Sequence, residues 1–190
     1  SSRRFRSLMN EPLIIEERGQ NIRHEELSKE LAVPPFFARV LGARGVTSKK
    51  ELDLSLNFLA GPNGLPGVDQ AASRLVQAIN RGERILVVGD FDADGATASA
   101  LVVSVLKEMG VVEVDYLVPN RFEFGYGLTP EIVRVAAKRE PALIITVDNG
   151  VSSVEGVQVA NELGIDVIIT DHHLPPKDLP NAFAIVNPNL

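Results

Sequence analysis

The sequence predicts an α/β fold: a parallel β-sheet with helices on both faces, preceded by a small helical N-terminal segment. Three observations point to it. Beyond residue 68, short Val/Ile-rich runs alternate with longer helical patterns, the order of successive βαβ units. The apolar runs are continuous rather than alternating, as strands buried on both faces must be. Apolar residues make up 45% of the 190-residue chain, enough to fill such a core.

The elements follow in order. Residues 1–55 read as short helices with breaks. His24 to Leu31 is helical in pattern, Pro34 and Pro35 interrupt it, and Pro35 to Leu41 and Ser48 to Leu54 read as further turns. Phe36, Phe37, Val40 and Leu41 give this segment an apolar face. The stretch AGPNGLPG, Ala60 to Gly67, is a Gly/Pro-rich linker. The boundary is placed near residue 56, so a second domain covers 56–190. Ala71, Ala72, Leu75, Val76 and Ile79 space a helix over Val68 to Asn80. After the turn Arg81-Gly82-Glu83 come a strand, Ile85 to Val88, and a largely apolar helix, Ala96 to Met109. Val111 to Val118 is a strand. Thr129 and Pro130 mark a helix start, with Thr as N-cap and Pro at the first helical position. Ala142 to Val147 is a strand, Val151 to Leu163 a helix, Asp166 to Thr170 a strand, and Phe183 to Val186 one more.

The net charge of −6 conceals an asymmetry: residues 1–50 carry +4 and residues 51–190 carry −10. An acidic body argues against sequence-independent duplex binding through a broad basic face. It suits a site whose positive charge comes from bound metal. There is no cysteine, hence no disulfide framework and no thiolate metal site, which fits a cytoplasmic protein. No apolar run approaches the ~20 residues that span a bilayer, and the basic start SSRRFR lacks the pattern of a cleaved leader.

In an open parallel sheet, ligands bind beyond the carboxyl ends of the strands. GDFDADG follows the first strand, PNRFEFGYGL the second, DNG the third and DHH the fourth. Three strands therefore end in carboxylates: Asp90, Asp92 and Asp94, then Asp148, then Asp171 with His172 and His173. Singly, an Asp after a strand is a turn residue or a helix cap, and GDFDADG lacks the G-x-G-x-x-G spacing of a dinucleotide loop. It is their convergence on one sheet edge that carries weight. Two carboxylates 4 Å apart repel by ~4 kcal/mol at an effective dielectric of 20. Divalent cations remove that penalty, and aspartates with an imidazole suit Mg²⁺ or Mn²⁺. His24, in the charged stretch HEELSKE, reads as solvated surface.

GDFDADG, PNRFEFGYGL, TVDNG and TDHH, in this order, resemble the DHH phosphoesterase superfamily, and VPNRFEFGYGL, TDHHLPP and VNPNL resemble its single-strand-specific DNA exonucleases. The resemblance implies a two-metal hydrolase that degrades single-stranded DNA from 5′ to 3′ into mononucleotides, in DNA repair and recombination. One ion would be held by Asp90 and Asp92 with Asp148 bridging, the other by Asp94, Asp148 and His172. His173 would contact the scissile phosphate or assist proton transfer, and Asp171 would orient the histidine pair. Arg121 would meet a phosphate, with Tyr126 and Gly127 of the GYG loop shaping the strand path. The family often has an acidic residue where this chain has Phe124. The resemblance further implies a single-strand-binding protein and a RecQ-type helicase as partners. It also implies a fragment, because the chain ends before the fourth acidic motif, with little activity of its own. The alternatives are a DHH phosphodiesterase acting on short oligonucleotides or cyclic dinucleotides, and an inactive DNA-bound scaffold.

Overall fold

The computed structural model describes residues 3–6, 12–15, 24–59, 61–120 and 124–190, the first two stretches by their backbone alone. The chain divides into two compact units, 1–60 and 61–190. In the first, β1 (Arg3–Arg6) and β2 (Pro12–Ile15) pair antiparallel, with Arg3 opposite Ile15 and Arg6 opposite Pro12. The sequence pattern of 1–55 reads as short helices with breaks. Here residues 3–6 and 12–15 pair as strands instead, since Leu13-Ile14-Ile15 favours extended backbone and Pro12 takes the first strand position, where its missing N–H costs least. Helices α1 (His24–Leu31) and α2 (Pro35–Ala43) follow, and Leu27, Leu31 and Ala38 form a small core with Val33, Leu41, Val46 and Leu52 around it. Phe36, Phe37 and Val40 do not join that core; each is exposed, because the short α2 turns Ala38 and Leu41 inward.

The second unit is built on one sheet. It contains α3 (Val68–Arg81), β3 (Ile85–Gly89), α4 (Ala93–Glu108), β4 (Val114–Leu117), α5 (Pro130–Ala137), β5 (Leu143–Val147), α6 (Val154–Glu162), β6 (Asp166–Thr170) and β7 (Ala184–Val186). Helix α4 starts at Ala93 rather than Ala96 because Asp92 caps it. Strand β4 is shorter than its apolar run suggests, because the Val111 amide still donates back to the Leu106 carbonyl at 3.0 Å in the turn that ends α4, and pairing with β3 begins only at Val114.

The strand order is β4-β3-β5-β6-β7, and every pair is parallel. Alternate residues of the same strands feed opposite cores. Leu86, Val88, Ile144, Val167 and Ile169 pack beneath α5 and α6, against Leu128, Ile132, Val133, Val157 and Ala160. Ile85, Val87, Leu143, Ile145 and Ile168 face the other way, toward Ala71, Ala78 and Leu106 of α3 and α4. Each such fully buried aliphatic side chain contributes about 1.5–3 kcal/mol. Phe124 packs against the first of these cores, which accounts for an apolar residue there.

The order of the strands positions the site. From β3 the chain crosses over α4 to β4 on one side, then returns through α5 to β5 on the other. Right-handed crossovers put α4 on one face and α5 and α6 on the opposite face. The direction of winding reverses between β3 and β5, which opens a crevice at their carboxyl ends.

Candidate metal centre

The crevice collects the side chains that follow β3, β5 and β6. Asp90 continues β3 and is buried; its carboxylate accepts the Phe91 amide at 2.6 Å. Asp92 caps α4 and accepts the Gly95 amide at 3.1 Å. Gly95 is required by close approach: a Cβ there would sit 2.5 Å from the Asp90 carbonyl oxygen and 2.6 Å from its nitrogen. That contact presses the start of α4 against the end of β3 and sets Asp90 and Asp92 side by side.

Asp148 leaves β5 in the left-handed region, at φ +62°. Its amide donates to the Thr170 carbonyl at 3.0 Å, and its side chain is only 7% exposed. The next residue, Asn149, is fully buried. Its Nδ2 donates to the carbonyls of Val88 and Val147 at 3.1 and 2.9 Å, which stitches β3 to β5 at the mouth of the crevice. Sequence reasoning missed this role. In DNG the Asn reads as a turn residue, and only the pairing of β3 with β5 puts a carbonyl of one strand beside a side chain from the other.

After β6, Asp171 is buried and organises the histidine pair. One carboxylate oxygen accepts the amides of His172 and His173 at 2.8 and 3.1 Å and the His173 Nδ1–H at 2.7 Å; the other accepts the Val151 amide at 2.9 Å. His172 Nε2 lies 2.9 Å from Asp148 Oδ1. The Tyr126 hydroxyl lies 3.3 Å from the ring nitrogens of His173 and 3.5 Å from the Asp148 carbonyl oxygen, so the GYG loop reaches this site. Gly127 takes φ +76° in that loop. A cleft of about 440 Å³ opens beside His173, lined by Tyr126, Thr129, Ser152, Ser153 and Glu155 among others. Arg121 lies outside the described residues.

Two groups of ligand-type side chains result. Asp90, Asp92 and Asp148 form one, and Asp148, His172 and His173 the other; within each, one ligand atom per residue lies within 4.8 Å of the rest. Asp148 belongs to both. Asp94 belongs to neither: it is exposed in the first turn of α4. The electrostatics follow from the geometry. Burial and the neighbouring charge of Asp92 raise the Asp148 carboxyl above its ordinary value, against the pull of His172. Burial also works to raise Asp171, but the Val151 amide and His173 outweigh it and hold its carboxyl low. The hydrogen bond that His173 donates to Asp171 raises His173, against partial burial. A desolvated carboxylate crowded by a second one is a group that a cation would relieve, and oxygen donors with an imidazole suit Mg²⁺ or Mn²⁺.

A five-stranded parallel sheet with acidic and histidine side chains gathered at its switch point defines a class, and comparison gives it a name. The model of the DHH family, N-terminal domain, matches residues 84–190, more than half of the chain, and the chain belongs to that family. Within it, the chain is similar to the single-stranded-DNA-specific exonuclease RecJ of Escherichia coli strain K12, 53% identical over 158 residues. That match covers 83% of this chain and 27% of the relative. A crystal structure of exonuclease RecJ bound to manganese superposes with TM-score 0.64 at 37% identity, covering 70% of this chain and 34% of that one. RecJ of Thermus thermophilus in complex with Mn²⁺ gives TM-score 0.62 at 33% identity, covering 87% and 23%. The chain thus spans roughly a quarter of the length of the curated relatives it matches, 27% for Escherichia coli RecJ. Among the described residues no helix is long and apolar enough to cross a membrane.

Proposed function

We propose that this chain is the metal-binding part of an exonuclease that hydrolyses single-stranded DNA from its 5′ end to mononucleotides in DNA repair and recombination. The observation that carries the reading is the sharing of Asp148 between an all-carboxylate group and a carboxylate–imidazole group. Asp90 and Asp92 with Asp148 would hold one Mg²⁺ or Mn²⁺, and Asp148 with His172 a second; the family resemblance adds Asp94 to the second ion. Bound there, the ions would supply a water acidic enough to attack phosphorus at neutral pH and positive charge for the attacking and leaving oxygens.

The chain's own residues do the rest. Asp171 fixes the His173 ring by its Nδ1–H and keeps it protonated to higher pH, so that Nε2–H is available to a phosphate oxygen. Tyr126 and Gly127, with Arg121, would shape the path of the strand beside the cleft next to His173. Similarity to single-stranded-DNA-specific exonucleases and to manganese-bound RecJ supports substrate and cofactor; polarity and product rest on the family resemblance. The cysteine-free composition suits a cytoplasmic setting, and the family resemblance adds single-strand-binding protein and a RecQ-type helicase as partners.

The test is a Mn²⁺-soaked crystal of this chain. Anomalous peaks are expected at the tips of Asp90, Asp92 and Asp148 and between Asp148 and His172. An ordered Mn²⁺-soaked crystal with no peak at either position would overturn the reading.

A further inference from the structure

The turn that carries His172 and His173 is gripped from two sides, and only one of them lies within the DHH motif. Asp171 takes both histidine amides. The two carbonyls are taken by a segment that arrives later in the chain. Asn189 Nδ2 donates to the His172 carbonyl at 2.7 Å, and Asn187 Nδ2 donates to the His173 carbonyl at 2.9 Å. Asn187 is fully buried, and its Oδ1 accepts the Asn189 amide at 2.8 Å, closing the Asn187-Pro188-Asn189 turn on itself. The pairing of β7 with β6, continued by the Asp171 amide donating to the Val186 carbonyl at 3.1 Å, delivers this turn to the histidines.

Every backbone donor and acceptor of the two histidines is therefore satisfied by a named group. This matters because the His172 side chain is 63% exposed and so has little packing to aim it at Asp148. Beyond the His173 ring, whose centroid lies 4.6 Å away, and the contact with Asp148, its direction rests on its backbone. A buried carboxamide is also a costly choice for ending a strand, where an apolar residue of similar size would carry no desolvation penalty. Asn187 spends both its polar atoms on the turn and the His173 carbonyl rather than on its own strand.

We infer that Asn187 and Asn189 are positioning residues for the cation site, acting by clamping the carbonyls of His173 and His172. The inference rests on the metal-centre reading above. Asn189 is the residue to change, since it is exposed and its loss leaves the core intact. N189A and N189D both remove the donor, and N189D keeps the shape. In metal-free protein, both variants are expected to move the imidazole resonances of His172 while leaving those of His24, the internal reference, in place. Mn²⁺ affinity by calorimetry should fall about tenfold, the lower end for partners that orient metal ligands. The melting temperature should change by less than about 2 °C, as for an exposed substitution. Unmoved His172 resonances with Mn²⁺ affinity within about twofold of the parent would overturn the inference. Failure of the underlying reading looks different: the parent chain would bind no Mn²⁺, while the His172 resonances of N189A would still decide whether the clamp exists.

Discussion

Replacing Asp148 by Asn should reverse the effect of this position on stability according to whether metal is present. Asn is the substitution to use, because Asp148 sits at φ +62°, a conformation that Asn tolerates and Ala resists. The closest oxygens of Asp148 and Asp92 lie within 4.8 Å. At that distance two unit charges repel by about 3.5 kcal/mol at an effective dielectric of 20. Asp92 is exposed, so solvent screening reduces this to about 1 kcal/mol, and the weaker hydrogen bond to His172 offsets part of the gain. In EDTA, D148N should therefore melt above the parent at pH 7, by at most about 2–4 °C. With Mn²⁺ at a hundredfold excess over its dissociation constant the parent gains about 2.7 kcal/mol, or about 5–10 °C, and the variant should gain almost none. Differential scanning calorimetry with and without Mn²⁺ reads both effects. A variant that melts below the parent in EDTA, or that responds equally to Mn²⁺, would refute the shared carboxylate.

Gly95→Ala should lower the melting temperature by about 2–12 °C, since the added methyl meets the Asp90 backbone rather than a movable side chain and overpacking costs about 1–3 kcal/mol. Mn²⁺ affinity should fall with it, and an unchanged melting curve would remove the close approach from the account. Asn149→Ala strips the donor from two buried carbonyls and should cost about 2 kcal/mol, read as a lower urea midpoint at constant slope. In metal-free protein, His173 should titrate above 6.5, and D171N should bring it down. Because its folded value is raised, His173 adds stability that is fully present below pH 6.5 and is lost as pH rises through the folded value. An NMR titration midpoint at or below 6.5 in the parent would contradict the Asp171 hydrogen bond.

Much of this centre is legible before folding is considered. The Val/Ile runs mark β3, β5 and β6 because a strand buried on two faces is largely apolar, with the buried Thr146 of β5 satisfied by the Asn149 carbonyl, and the carboxylates stand out at the ends of those runs. Thr129 and Pro130 announce α5 by local capping chemistry, and Thr129 accepts the Ile132 amide as expected. The misses are of another kind. GDFDADG does not tell that Asp92 caps the helix while Asp94 sits within its first turn; the resemblance assigns Asp94 to the second ion, and the two groups of ligand-type side chains do not include it. Asn149, Asn187 and Asn189 look like turn residues because their partners are far away in sequence.

Strands, helices and the charged residues at strand ends were written into the order of amino acids, since burial and capping act over a few neighbouring positions. Folding in three dimensions added what that order could not express: β3 lies against β5, Asp148 serves two ligand groups at once, and a turn after β7 holds the histidines. Those are contacts between segments whose separation along the chain leaves no local trace; the sheet's pairing order creates them.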